Sequence, residues 1–367
     1  MKAGQPKAVA AALLAATTLF GLVAGCSSPQ QPAGSASPAA SAPAPTLGPD
    51  ARTFTDQGGT TVQVPAKVER VADLWHANNQ VILVLGAGDK LVATTNVIKQ
   101  MKWFSTVYPN IANVTAPFSG DDLQIEELVK LRPDAVLSSN DAQIQAARNA
   151  GLPAVKVNFQ TFDGLRQTVK LTAGVLGGDA PARAEKYLTY LDKNIATVDS
   201  TLKGLKDADR PSVLHIAGPT DLLTVDGRKS MIDEWINLAG GRNALDVDGN
   251  LAKVTMETIV QSDPDCIIIG STSTEDALAL LRKDPAYSQL RAVKEGKVYG
   301  NPRGTFPWDR YSAEEALQVL WVAQLLHPDK FKNLDLVAET RNFYKTFLNY
   351  DLTADQAKLI LAGKDPA

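Results

Sequence analysis

The chain is 367 residues long, 44% hydrophobic and 21% charged. That is enough to bury a core, and it excludes disordered, collagen-like and coiled-coil classes. A formal charge of -3 offers no basic face for tracking phosphates, so nucleic acid is not an expected partner, and two cysteines exclude a disulfide framework. The length suits two globular units, with one large domain also allowed.

Residues 1–25 read as a secretory signal: Lys2 and Lys7 precede the uncharged run Ala8 to Gly25. The run ends Leu22-Val23-Ala24-Gly25-Cys26, which resembles a bacterial lipobox. The resemblance implies cleavage before Cys26 and a diacylglyceryl thioether on its sulfur, although the run is also long enough to be read as an uncleaved anchor. Both readings put the functional body outside the cytoplasm. Residues 26–50 hold six prolines and no charge before Asp50, so they are expected to form an extended tether. The other thiol, Cys266, lies in the apolar run Cys266 to Ile269 and is expected to be buried.

Globular patterning starts at Arg52. Alternation from Thr53 to Val64 around Asp56-Gln57-Gly58-Gly59 predicts a hairpin. Strand-like runs follow at Val68–Leu74, Leu91–Asn96, Ala135–Ser138 and Ala154–Val157, with helices over Asn79–Leu85 and Leu123–Leu131. A second series places strands at Ser212–Ile216, Cys266–Ile269 and Lys297–Tyr299, with helices near Met231–Ala239, Met256–Gln261 and Glu275–Arg282. Such alternation predicts parallel sheets covered by helices. From Pro181 to Leu205 the apolar positions 184, 187, 188, 191, 195, 198, 202 and 205 recur in steps of three and four, predicting one helix about 37 Å long. The fold class expected is α/β: two Rossmann-like lobes (51–178 and 207–327) joined by a long connecting helix (179–206), followed by a helical tail (328–367). The ligand cleft would lie between the lobes, and a stiff connection implies a small closure rather than a wide swing.

The halves share a phrase. Leu123-Gln124-Ile125-Glu126-Glu127-Leu128-Val129 leads to Pro133-Asp134-Ala135-Val136, and Val254-Thr255-Met256-Glu257-Thr258-Ile259-Val260 leads to Pro264-Asp265-Cys266-Ile267. In each, a Glu stands seven residues before a Pro-Asp that opens a strand. Related lobes explain the match, and so does a recurring helix–turn–strand device.

Enzyme signatures are missing: there is no Gly-x-Ser-x-Gly, no phosphate loop and no His-Glu-x-x-His. Of three histidines, His327 fits a helix C-terminus. His215 ends a strand, where either a pocket role or a satisfied core position fits. His76 follows the first strand of the N-terminal half in Trp75-His76-Ala77-Asn78-Asn79, a turn expected to face the cleft; alternatively Trp75 is core and Asn78 a helix N-cap. The loop Asn301 to Tyr311 combines three aromatics with Arg303 and Arg310, a set suited to a large, flat or anionic ligand. Trp103 and Ser119 are candidates for the opposite wall.

Taken together, these features resemble the substrate-binding lipoproteins of ATP-driven (ABC) importers. The branch is the helical-backbone one that carries ferric siderophores, haem, cobalamin and other metal complexes. Phrases that carry the resemblance include Arg70-Val71, Leu123 to Val136, Gly240-Gly241-Arg242-Asn243, Val254 to Ile268 and Ala292 to Tyr299. It implies a non-enzymatic monomer without a resident cofactor, lipid-anchored to the cell membrane, that delivers a metal complex to a permease served by a separate ATPase. A ferric siderophore or related iron chelate is the expected cargo, with cobalamin, haem, a nickel complex or molybdate as alternatives. The expected ligand contacts are Trp75, His76, Asn78, Trp103, Ser119, His215, Arg303, Phe306, Trp308 and Arg310, with His76 and His215 as direct metal ligands if coordination positions are open. The resemblance assigns permease docking to Glu126 and Glu257. The competing class, a surface metal-dependent enzyme, would need a compact ligand set that three scattered histidines do not supply.

Overall fold

The computed structural model describes residues 47–366; the signal segment and Cys26 lie outside the described residues. Two separate sheets form the frame. In the first, the strands run Leu91–Ala93, Val71–Asp73, Ala135–Ser138, Ala154–Lys156, all parallel. In the second, Ser212–Ile216 is flanked in parallel by Cys266–Ile269, which pairs in turn with Val298–Gly300. Antiparallel ribbons Thr224–Val225 and Ala252–Lys253 extend that sheet on the other side. The central strands are apolar on both faces because helices cover both, and they are fully buried.

The strands Val71–Asp73 and Leu91–Ala93 are shorter than their apolar runs suggest. Thr95 ends the second one early, because its hydroxyl accepts the Ile98 amide and caps a helix from Asn96. The hairpin forms as Arg52–Thr55 against Thr61–Val64. Its Asp56 carboxylate accepts the amides of Gly58, Thr60 and Lys156 and pairs with Arg148, fixing the hairpin to the first sheet's edge.

The connecting helix spans Ala180–Thr201 and buries Ala184, Tyr187, Leu188, Leu191 and Val198. It packs against Phe162–Leu176 on one side and Glu315–Leu326 on the other. Tyr187 donates its hydroxyl to the Ala313 carbonyl, and Asn194 donates to that of Ala316. The helix is therefore pinned to both halves along its length. Two further helices, Leu336–Phe347 and Ala354–Leu361, form the tail. Among the described residues no helix is long and apolar enough to cross a membrane.

The repeated phrase folds the same way twice. Glu126 and Glu257 are each the second residue of a short helix, exposed in its first turn. After each helix a residue turns to left-handed conformation just before the proline, Arg132 (φ 45°) and Asp263 (φ 32°). Asp134 then accepts the amides of Glu69 and Arg70, while Asp265 accepts that of Ser212. In both lobes this carboxylate clasps the entry of the first strand.

Candidate functional site

Ligand sites in parallel α/β sheets lie beyond the C-terminal ends of the strands, and here those ends from the two sheets meet. Gln80, on the helix His76–Val84 that follows the first strand, is fully buried against the second lobe. Its amide donates to Thr305 (2.7 Å) and Glu314 (2.5 Å) and accepts from Ser312 (3.0 Å) and the Ala313 amide (2.6 Å). Glu314 also accepts from Tyr344, Thr305 and the Phe306 amide. Burial raises its pKa, although these hydrogen bonds work the other way.

Aromatic rings close one side of the seam. Trp75 packs edge-on to Phe159 (5.2 Å between centroids) and tilted against Tyr311 (6.2 Å). Tyr311 is held in left-handed conformation (φ 56°), and its hydroxyl bridges Asn250 and Gln160 across the lobes. His76 stacks on Phe306 at 5.5 Å. Burial lowers the His76 pKa, so the ring is neutral.

Behind this side lies a buried group of four ionisable side chains. His215 Nδ1 lies 2.8 Å from Asp226 and Nε2 3.1 Å from Asp309, so a carboxyl group faces each ring nitrogen, a setting that favours the imidazolium. Burial pushes the His215 pKa down, but the two carboxylates outweigh it and the net shift is upward. Arg310 completes the set at 2.6 Å from Asp226. Burial opposes charge on Asp226, yet its bonds to His215 and the nearby Arg310 hold its pKa far below the usual carboxylate range.

On the other side of the seam the lobes stand apart around a cavity of about 240 Å³. Val97, Gln100, Met101, Lys102 and Trp103 line it from the first lobe, facing Ser271, Arg303, Gly304, Pro307 and Asp365. Trp103 Nε1 donates to the Lys364 carbonyl at 2.8 Å, so the segment after the last helix reaches the first lobe. The hairpin bearing Ser119, which is exposed, adjoins this side through a long Asn96–Gly120 contact of 3.4 Å.

Several sequence expectations change with this geometry. Asn78 neither caps a helix nor faces the cleft: its amide donates to Asp73 and accepts from Thr172 inside its own lobe. His215 has no nitrogen left for a metal, and His76 stacks on the Phe306 ring. Among the described residues no group of three or more His, Cys, Asp or Glu side chains is placed to hold a metal ion. Trp308 and Phe306 are buried, at 0% and 4% exposure, and pack the seam rather than walling an open receptacle. Trp75, at 6%, does the same. Trp103 and Arg303 do border the cavity, whereas Arg310 is tied into the buried charges. Cys266 is buried, which pushes its thiol up to about 12. Sequence reading missed Gln80, Phe159, Asp226 and Asp365. For Phe159 a signal existed, since it stands two residues past the run Ala154–Val157, at a strand's C-terminal end.

A two-sheet frame with its site at the meeting of strand ends defines a bilobal α/β binding protein. The sequence profile of the periplasmic binding protein family matches residues 71–303, more than half of the chain, and the chain belongs to that family. It is 24% identical over 288 residues to YvrC of Bacillus subtilis, an uncharacterized ABC transporter substrate-binding lipoprotein, covering 76% of this chain and 87% of the relative. The molybdate-binding protein MolA of Haemophilus influenzae is 24% identical over 335 residues, 83% of this chain and 93% of the relative. Among solved structures, a periplasmic solute binding protein from Veillonella parvula superposes with a TM-score of 0.74 at 29% identity, covering 85% of this chain and 97% of that one. The chain is thus a substrate-binding protein of the ABC-transporter kind.

Proposed function

We propose that the protein captures a small anionic metal species outside the cytoplasm, a compact ferric chelate or an oxyanion such as molybdate, and hands it to a membrane permease without chemical change. The observation that carries this reading is the interlobe cavity of about 240 Å³ with Lys102 and Arg303 on opposite walls. That volume is below the roughly 300–1,000 Å³ of pockets for drug-sized ligands, so it suits an oxyanion or compact chelate better than haem or a corrinoid. One cation from each lobe, against the single carboxylate of Asp365 in the lining, favours an anion. Trp103, Arg303 and Ser119 remain in the proposed contact set, with Lys102 added. Trp75, His76, Phe306 and Arg310 hold the lobes in register behind it.

Release is proposed to follow docking of Glu126 and Glu257 on cationic partners of the permease. These glutamates are exposed and lie at matching places of the two lobes. MolA, by its name, binds molybdate, and YvrC is named a lipoprotein, which supports an anchor at Cys26. The experiment is titration of the purified protein with molybdate, ferric citrate, haem and cobalamin, followed by thermal shift. Stabilisation by one of the first two, and by neither macrocycle, is expected. Stabilisation by haem or cobalamin alone would refute the small-anion reading.

A further inference from the structure

The cavity's two cations are not free. Asp365 stands between them: one carboxylate oxygen lies 3.2 Å from Lys102 Nζ and the other 2.7 Å from the Arg303 guanidinium. Lys102 belongs to the first lobe and Arg303 to the second, so one carboxylate bridges the cleft. All three side chains line the same cavity. Around them, the backbone holds the segment in place. The Arg303 amide donates to Ile360 O, the Thr274 amide to Ala362 O, and Trp103 to Lys364 O. Gly363 sits where a Cβ would lie 2.5 Å from Thr272 O, so this approach needs a residue without one. Arg303 still has a buried Nε with no partner, leaving it one donor unspent.

We infer that Lys102 and Arg303 form an anion clamp across the cleft, and that Asp365 occupies it from within the chain until an anionic ligand displaces it. This rests on the small-anion reading of the cavity and adds a regulator to it. A carboxylate and an oxyanion present the same chemistry to a guanidinium, two acceptor oxygens for a forked donor. A ligand with more negative charge or more acceptor oxygens than one carboxylate wins the exchange. The unspent Arg303 donor supplies part of the gain. Because the clamp draws one cation from each lobe, the incoming anion keeps the lobes together after Asp365 leaves. The internal carboxylate lowers apparent affinity by the fraction of time the clamp is free, and it sets a threshold against monovalent carboxylates.

The test is calorimetric titration with molybdate and with ferric citrate of the full-length protein and four variants. Asp365→Asn removes the internal anion without changing shape, and should bind the effective probe about tenfold more tightly or better. Asp365→Glu keeps the carboxylate and should bind like the parent. Lys102→Gln and Arg303→Gln should each weaken binding by about tenfold or more. Thermal unfolding of each variant confirms that it is folded. Unchanged or weakened affinity in Asp365→Asn, with the parent binding normally, overturns the clamp and leaves the function intact. Failure of both probes to bind the parent and Asp365→Asn alike overturns the function on which the clamp rests.

Discussion

Asp73 and His215 stand at the same point of the two lobes. Each lies on its lobe's first strand, opposite the residue three places beyond the Pro-Asp: Asp73 faces Leu137 and His215 faces Ile268. Both are completely buried. Their solutions differ. Asp73 has an amide and an Asn78 side chain for partners and, among the described residues, no cation, so burial drives its pKa well up. His215 has two carboxyl partners and, through Asp226, an arginine, and its pKa is shifted upward, which favours the charged form. The outward ends of the same strands are alike, each clasped by an aspartate that follows an exposed glutamate in the chain. Symmetry survives where the lobes would meet one partner and is lost where they meet each other.

The largest expected effect tests the symmetric face. If Glu126 and Glu257 dock equivalently, Glu126→Lys and Glu257→Lys should each cut cellular uptake of the bound ligand by a similar factor. The double variant should cut it by at least about tenfold, with solution affinity unchanged. A large asymmetry between the singles, or a loss of affinity, would break the pairing.

The asymmetric face is tested by His215→Gln. Removing the imidazolium leaves Asp226 and Asp309 facing one arginine in a dry interior, a loss of about 3–5 kcal/mol. The pH dependence carries the sign. His215 has a raised folded pKa, so its contribution is complete below its unfolded value near 6.5 and is lost as pH rises through the folded value. Asp226 has a depressed pKa, so its contribution is present above about 3.9 and is lost as pH falls through the folded value. The gap between parent and variant in urea melts should be widest between about pH 4 and 6.5 and narrow towards pH 9. A gap that stays constant across that range would show that His215 is not held as an imidazolium.

How much of this was legible in the sequence follows from the range of each interaction. The strands, the connecting helix and the doubled Pro-Asp phrase are local: periodicity and spacing carry them, and Ala135–Ser138, Ser212–Ile216 and Cys266–Ile269 fall as expected. The aromatic loop was correctly placed beyond a strand end. Its role was not legible, because whether Trp308 lines a hole or fills one depends on what the other lobe brings to it. Asp226 lies 84 positions from Arg310, and Asp365 lies 62 from Arg303. Pairings of that separation leave no periodic trace, and a single aspartate in a turn looks like any other.

Among the described residues, Gln80 is the polar side chain with which the first lobe enters the second lobe's buried hydrogen-bond network at Glu314. Gln80→Ala should lower stability by about 2–3 kcal/mol, since it strands several buried groups rather than one. Urea denaturation measures it. The same variant should leave both sheets intact, so near-parental far-UV circular dichroism is expected below the transition. A loss under about 0.5 kcal/mol would mean that the seam is wet and Gln80 replaceable by solvent.

The smallest effect brings the comparison back to the outer ends. Asp134 accepts two backbone amides, from Glu69 at 2.8 Å and Arg70 at 2.9 Å. Asp265 accepts one amide and one hydroxyl, both from Ser212 at 2.8 Å, and pairs with Arg291. Both sites are partly open to water, which screens the charges and leaves about 1 kcal/mol for each clasp. Asp134→Ala and Asp265→Ala should therefore destabilise by nearly equal amounts. The Asp265 variant should show the stronger salt dependence, because only that carboxylate also carries an ion pair. Equal salt dependence would mean that the Arg291 pair contributes nothing, and that the two clasps are the same device built with different neighbours.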